Sequence, residues 1–227
     1  MTCAVLLDLD GTIVDSYPGI LSSCLATLRD LGHKPEETLD ITNTIGPPLE
    51  DVMRVLLERY GDDRVDEAVV SYRRHYGESG YLRAKPYPGI GKSLEAMKRA
   101  DVQIYLATSK RTHFAERILD HLNFARFFDG IYGSVPSGER DHKPELLAYV
   151  LSKHDLSPSH SLMVGDRRHD ISGAHAVGMR GLGALWGYGT RDELEIAGAD
   201  WLVECPADLA NAVLSVTNSK KKSMLGG

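Results

Sequence analysis

The sequence predicts an α/β fold: a Rossmann-like parallel sheet with helices on both faces, interrupted by an inserted all-helical segment. Three observations carry this. Short apolar runs alternate with amphipathic windows along most of the chain, the pattern of βαβ units. The apolar runs, such as "SLMVG", lack polar alternation, as strands buried on both faces do. And from about Pro18 to Gly80 no convincing strand occurs, only helical periodicity.

In chain order, strands are expected at Ala4–Leu9, Val102–Ala107, Gly130–Tyr132, Ser161–Val164, Gly181–Leu185 and Trp201–Val203. Helices are expected at Ile90–Arg99, Phe114–Leu122, Glu145–His154, Ile171–Val177, Asp192–Ala197 and Ala207–Val216. In the inserted block, Ile20, Leu21, Cys24, Leu25, Leu28 and Leu31 mark one helical face, and further helices fit Leu49–Tyr60 and Val65 to about Tyr76. Pro- and Gly-rich stretches, "DSYPG" and "AKPYPG", flank the block as hinges. The expected division is a core of residues 1–15 and 86–217, a helical cap of 16–85, and a flexible tail of 218–227 holding a lysine triplet.

Bulk properties narrow the function. The 227 residues suffice for one large domain or a core with an insert. A net charge of −6 supplies no field to attract nucleic acid. No run of 18 apolar residues and no secretory leader is present, so a soluble cytoplasmic protein with no membrane partner is expected. Three scattered cysteines (Cys3, Cys24, Cys205) make neither a disulfide framework nor a zinc spacing, and Cys3 is expected to pack in the first strand as a small hydrophobe.

Four stretches carry polar chemistry. "DLDGT" (8–12) ends the first apolar run, and Asp8 and Asp10 face the same way at its carboxyl edge, where open α/β sheets bind ligands. Asp-Gly is also a common turn pair. "IYLATSK" ends in Thr108 and Ser109, which by themselves fit a helix cap better than a phosphate oxygen, though both hydroxyls could donate to one. Lys143 stands at a helix start, where the dipole disfavours a cation unless carboxylates lie near. "GDRRHD" places Asp166 and Asp170 four apart at another helix start, where each could simply serve the dipole. All four sets fall on one edge of the expected sheet. Hard oxygen ligands without His or Cys suit Mg²⁺, and a divalent cation with Lys143 would make the paired acids tolerable.

The order and spacing of "DLDGT", "ATSK", Lys143-Pro144 and "GDRRHD" resemble the haloacid dehalogenase superfamily over nearly the whole chain. "DGTIVDS", "TIGPPLEDV" and "GYGTRDELEIAGADWLV" look like its phosphoglycolate phosphatase-like branch, some members of which are nucleotide 5′-phosphatases. The resemblance implies a Mg²⁺-dependent phosphatase of a small phosphorylated metabolite, as a monomer or homodimer. Asp8 would be the nucleophile that becomes an aspartyl-phosphate, and Asp10 the general acid and base. Gly11, Thr12, Thr108, Ser109 and Lys143 would bind the phosphoryl group. Asp8, Asp166, Asp170 and the main-chain carbonyl of Asp10 would serve the metal.

"TIGPPLED" would be a specificity loop. Arg54, Arg83 and Lys85, or Lys110, Arg111 and His113, are further contacts to weigh against ordinary surface cations. Ser109, where many phosphoglycolate phosphatases carry asparagine, and "RRH" after Asp166, where serine or threonine is often seen, depart from the branch pattern. A phosphoglucomutase-type isomerase would use the same aspartate pair. A dehalogenase would lack Asp10, and a phosphoacceptor receiver would be half as long.

Overall fold

Side-chain alternation along the strands decides the architecture. In the computed structural model, which describes residues 4–224, the strand β1 (Ala4–Leu7) sends Val5 and Leu7 to one face and Ala4 and Leu6 to the other, all buried. Its parallel neighbours do the same. Ile104 and Leu106 of β4 (Gln103–Arg111) and Leu162 and Val164 of β6 (Ser161–Gly165) join the first face. Tyr105, Ala107 and Met163 join the second. Covering both faces with helices is what makes uninterrupted apolar runs stable as parallel strands. The helices α4 (Ile90–Arg99) and α5 (Thr112–His121), with α9 (Leu209–Met224), cover the first face. The helices α6 (Lys143–Lys153) and α7 (Arg168–Ala176) cover the second.

The six-stranded parallel sheet has the order β5-β4-β1-β6-β7-β8, with β5 at Gly130–Ser134, β7 at Arg180–Ala184 and β8 at Trp201–Val203. Leu7 is flanked in register by Leu106 and Val164. The chain builds outward from β1 through β4 to β5, then returns to β1's other side at β6. That reversal opens a crevice beyond the carboxyl ends of β1 and β6, the usual ligand position in such sheets.

Two departures from the expected elements matter for chemistry. The first strand stops at Leu7, because the chain turns through Leu9–Val14, where the Thr12, Ile13 and Val14 amides all donate to Leu9 O. The strand β4 runs four residues past Ala107, with a register irregularity between Ala107 and Arg111, so Thr108–Arg111 lie within a strand and not in a loop. The helix α8 (Arg191–Ile196) is capped by Thr190, whose hydroxyl accepts from Glu193 N at 3.1 Å.

Residues 17–83 contain α1 (Tyr17–Asp30), α2 (Leu49–Glu58) and α3 (Val65–His75), followed by single-turn π and 3₁₀ segments to Arg83. They share an apolar cluster of their own, including Cys24, Leu28, Ile41, Met53, Leu56, Tyr72 and Tyr76, and the sheet side contributes Phe114 and Tyr188 to it. The chain enters and leaves this block through a short antiparallel ribbon, β2 (Val14–Asp15) against β3 (Lys85–Pro86). The helix α9 extends through much of the segment expected to be a tail, since neither Gly nor Pro interrupts 209–224. Residues 225–227 and Cys3 lie outside those described. No helix among the described residues is long and apolar enough to cross a membrane.

Candidate active site

Three acids meet at the reversal point. Asp8 follows β1, Asp166 follows β6, and Asp170 sits in the first turn of α7, and oxygens of the three carboxylates lie within 4.8 Å of one another. All three are buried. Glycines make the approach possible. Gly11 turns with φ +81°, and a Cβ there would sit 2.1 Å from Asp166 Oδ2. A Cβ at Gly165 would fall 2.1 Å from Asp170 Cγ.

Lys143 supplies the counter-charge. It is the first residue of α6, which starts ahead of the helix expected from Glu145. Its Nζ donates to Asp8 Oδ1 (2.9 Å) and Ala107 O (2.9 Å), and lies 2.7 Å from Asp170 Oδ1. Burial alone would lower its affinity for a proton, but Asp170 and Asp8 hold it raised, so it stays an ammonium. Burial pushes the Asp8 carboxyl up to about 6 against the pull of Lys143. Asp166 is pushed well above the ordinary carboxylate range, first by burial and then by Asp170 and Asp8. One ammonium therefore leaves three carboxylates under-neutralised.

The other acids and hydroxyls divide. Asp10 turns its carboxylate away from the trio, and Oδ2 lies 2.7 Å from Lys110 Nζ. Its Oδ1 is buried without a hydrogen-bond partner, and Asp10 is one of the residues lining a cavity of about 100 Å³. Lys110 also stands 4.6 Å above the Tyr76 ring, and Asp10 and Tyr76 hold it charged despite its burial. Asp8, Thr108 and Ser109 line the same cavity. Gly11 and Thr12 are placed otherwise than expected for phosphate binding. Their amides donate to Val14 O (2.9 Å) and Leu9 O (3.3 Å), and the Thr12 hydroxyl donates to Asp166 Oδ1 (3.2 Å). The turn's own hydrogen bonds consume these donors, so both residues set the position of Asp166. Tyr188 N donates to its other oxygen at 2.7 Å.

The helical block roofs the cavity. Thr44–Glu50, within the "TIGPPLED" stretch expected to govern specificity, lie over it with Ile20, Val52, Tyr72 and Tyr76. Phe114 closes one wall. Arg73 and Arg111 mark the rim with Glu50, which lies 2.8 Å from Arg73 and 3.9 Å from Arg111. Arg54 pairs with Asp51 on the surface, Arg83 and Lys85 are exposed, and the His113 ring lies tilted at 39° to that of Phe114. None of the four lines the cavity. Glu50, Arg73, Tyr76 and Asp141 were not singled out by sequence. For Arg73 and Tyr76 the signal is helical position alone, Glu50 is delivered by the Gly46-Pro47-Pro48 turn, and Asp141 lines the cavity from the loop before α6.

The trio fits a divalent cation. The donors are hard carboxylate oxygens with no thiol or imidazole, they converge within one small volume, and their excess negative charge needs a neutralising ion. Comparison with known proteins gives the family. The family model described as "Haloacid dehalogenase-like hydrolase" matches residues 5–184. A 5′-nucleotidase from Pseudomonas aeruginosa is 38% identical over 192 residues, covering 84% of this chain and 86% of that protein. A phosphoglycolate phosphatase from Aquifex aeolicus is 33% identical, covering 90% and 93%. A crystal structure described as a predicted phosphatase from Clostridium acetobutylicum superposes with a TM-score of 0.87 at 31% identity, covering 95% and 99%.

Proposed function

The chain belongs to the haloacid dehalogenase-like hydrolases and is a phosphatase, and from that premise we propose that it is a Mg²⁺-dependent hydrolase of small phosphomonoesters working through an aspartyl-phosphate on Asp8. The reading is carried by one observation: a buried lysine-braced carboxylate, Asp8, lines the same cavity as Asp10, one of whose carboxylate oxygens has no hydrogen-bond partner. A nucleophile and a proton carrier one residue apart on one strand end are what two-step phosphoryl transfer needs.

Asp8 attacks phosphorus and the ester P–O bond breaks, with Asp10 Oδ1 delivering the proton to the leaving oxygen. Water then attacks the acyl phosphate, Asp10 takes its proton, and inorganic phosphate departs. Lys143 offsets the charge of Asp8 throughout, at short range in a buried setting where Coulomb attraction is strong. Thr108 and the Ser109 amide hold phosphoryl oxygens. Asp8, Asp166 and Asp170, with the Asp10 carbonyl, would hold Mg²⁺, which when bound there neutralises charge on the acids and the phosphoryl group. Thr12 and the Tyr188 amide keep Asp166 in place. The helical block acts as a cap that excludes water and selects the leaving group.

Two substrate readings remain distinct. Arg73 and Arg111 at the rim favour a short acidic leaving group such as that of phosphoglycolate, in line with the branch resemblance. The apolar and aromatic walls of Ile20, Val52, Tyr72, Tyr76 and Phe114 favour a nucleoside, in line with the relative that is a 5′-nucleotidase. Phosphate release from phosphoglycolate, nucleoside monophosphates and sugar phosphates, with and without Mg²⁺, tests both. Activity on one class that requires the metal is expected. Phosphate release unaffected by metal removal contradicts the proposed site, and transfer between hydroxyls of a sugar bisphosphate without release points to an isomerase instead.

A further inference from the structure

Arg167 directly follows Asp166. Its position is physically awkward. It precedes α7 at the N-cap, where short polar side chains serve best and where the helix dipole disfavours a cation. It is nevertheless 5% exposed. Its backbone amide donates to Asp170 Oδ2 at 3.1 Å. Its side chain leaves the acids and crosses to the helical block. There Nη1 donates to the carbonyl oxygens of Thr42 (3.3 Å) and Ile45, while Nε donates to Glu193 Oε1 at 2.9 Å. Gly46, at φ +116°, lies against the arginine stem, and a Cβ there would be 3.4 Å from Arg167 Cγ. Thr44–Pro48 form part of the cavity roof. A buried guanidinium is costly unless every donor has a use, and here two donors are used on the roof loop.

We propose that Arg167 is a positioning residue that pins the roof loop, residues 42–48, to the acid-bearing edge and so fixes the shape of the leaving-group pocket. The inference rests on the cavity being the phosphomonoester site. One residue thereby links Asp170, through its amide, to the loop over the leaving group, through its guanidinium. Glu193 aims the guanidinium, and the Gly46 turn lets the loop approach it.

The test compares wild type with Arg167→Met, which keeps the stem and removes the donors, and with Arg167→Lys, which retains one. Amide hydrogen exchange of the loop, read at residues 42–46 because Pro47 and Pro48 carry no amide hydrogen, and kinetics on p-nitrophenyl phosphate are measured with Mg²⁺, with inorganic phosphate as inhibitor. In Arg167→Met, exchange in 42–46 and KM for p-nitrophenyl phosphate each rise about tenfold, the equivalent of a lost hydrogen-bond set. Inhibition by phosphate, which touches only the acid edge, stays within about twofold. Arg167→Lys falls between. Unchanged exchange in 42–46 overturns the proposal, as does exchange raised equally throughout the protein with phosphate inhibition lost. If wild type releases no phosphate from p-nitrophenyl phosphate under these conditions, the phosphomonoester reading fails by itself, while the exchange result still decides whether Arg167 holds the loop. Should Arg167→Met fail to fold, Glu193→Gln reports the same direction with a smaller rise, and no rise there counts against the proposal.

Discussion

The site has a floor and a roof built on opposite principles. The floor is a sheet edge. Asp8, Asp166, Asp170 and Lys143 come from strand ends and helix starts whose positions the backbone ladder fixes, and like charges are held together by one ammonium. The roof is a packed helical block, where Tyr72, Tyr76 and Val52 present apolar walls and Glu50 with Arg73 forms a partly exposed pair. The difference teaches a division of labour. On the proposed reading, chemistry falls to the part whose positions the sheet topology fixes, and choice of leaving group to the part whose surface depends on side-chain packing.

The largest expected effect breaks the floor. Asp8→Asn removes the nucleophile and should lower kcat by on the order of 10⁴-fold or more in steady-state assays, while circular dichroism shows a folded protein. Retained turnover removes Asp8 from its role. Next in size is Lys143→Met. It leaves Asp8 and Asp170 buried beside each other without a cation and should cost about 3–5 kcal/mol of stability, a fall in Tm of roughly 6–20 °C for a chain of this size. A fall of under a degree would mean the acids are solvated or neutral.

Much of the floor was legible in the sequence because its signals are local. An apolar run ending at an acid, a glycine beside it and a helix start behind it place Asp8, Asp166 and Asp170 on one edge with no knowledge of packing. What lay beyond that reading has physical causes. The strand β4 continues through polar Thr108–Arg111, so Lys110 enters the site and pairs with Asp10, which an apolar-run criterion stops short of. The donors of Gly11 and Thr12 are consumed by the turn that they make. The roof's helices and its loop were legible singly, but not how they meet. The meeting of Glu50 with Arg73, across 23 residues, depends on how α2 packs on α3.

Smaller in size is a pH effect confined to the floor. The folded protein holds the Asp8 carboxyl up at about 6, above its ordinary value near 4. The folded state therefore binds more protons than the unfolded chain between those values, and metal-free stability falls as pH rises from about 4 to 6, by on the order of 3 kcal/mol from this group. Asp166 acts in the same direction. Mg²⁺ should restore stability, and by more at pH 7 than at pH 5. Thermal unfolding of wild type and Asp8→Asn across this range, with and without the ion, separates the Asp8 contribution from the opposing ones of His113 and His169, and a slope over pH 4 to 6 that Asp8→Asn leaves unchanged contradicts the buried trio.

The smallest effect sharpens the roof. Arg54 belongs to α2 yet pairs outward with Asp51, so Arg54→Ala should change stability by under about 0.5 kcal/mol and leave KM unchanged for every substrate tried. A raised KM would mean the roof extends further along α2 than the cavity lining indicates.

The most direct measurement is where the phosphoryl group goes. Rapid acid quench during turnover with Mg²⁺, followed by digestion and mass spectrometry, should find the group on Asp8 in wild type and on no residue in Asp8→Asn. Turnover with the group on another side chain, or with the Asp8 peptide unmodified when quenched at steady state under conditions that preserve acyl phosphates, would contradict the account.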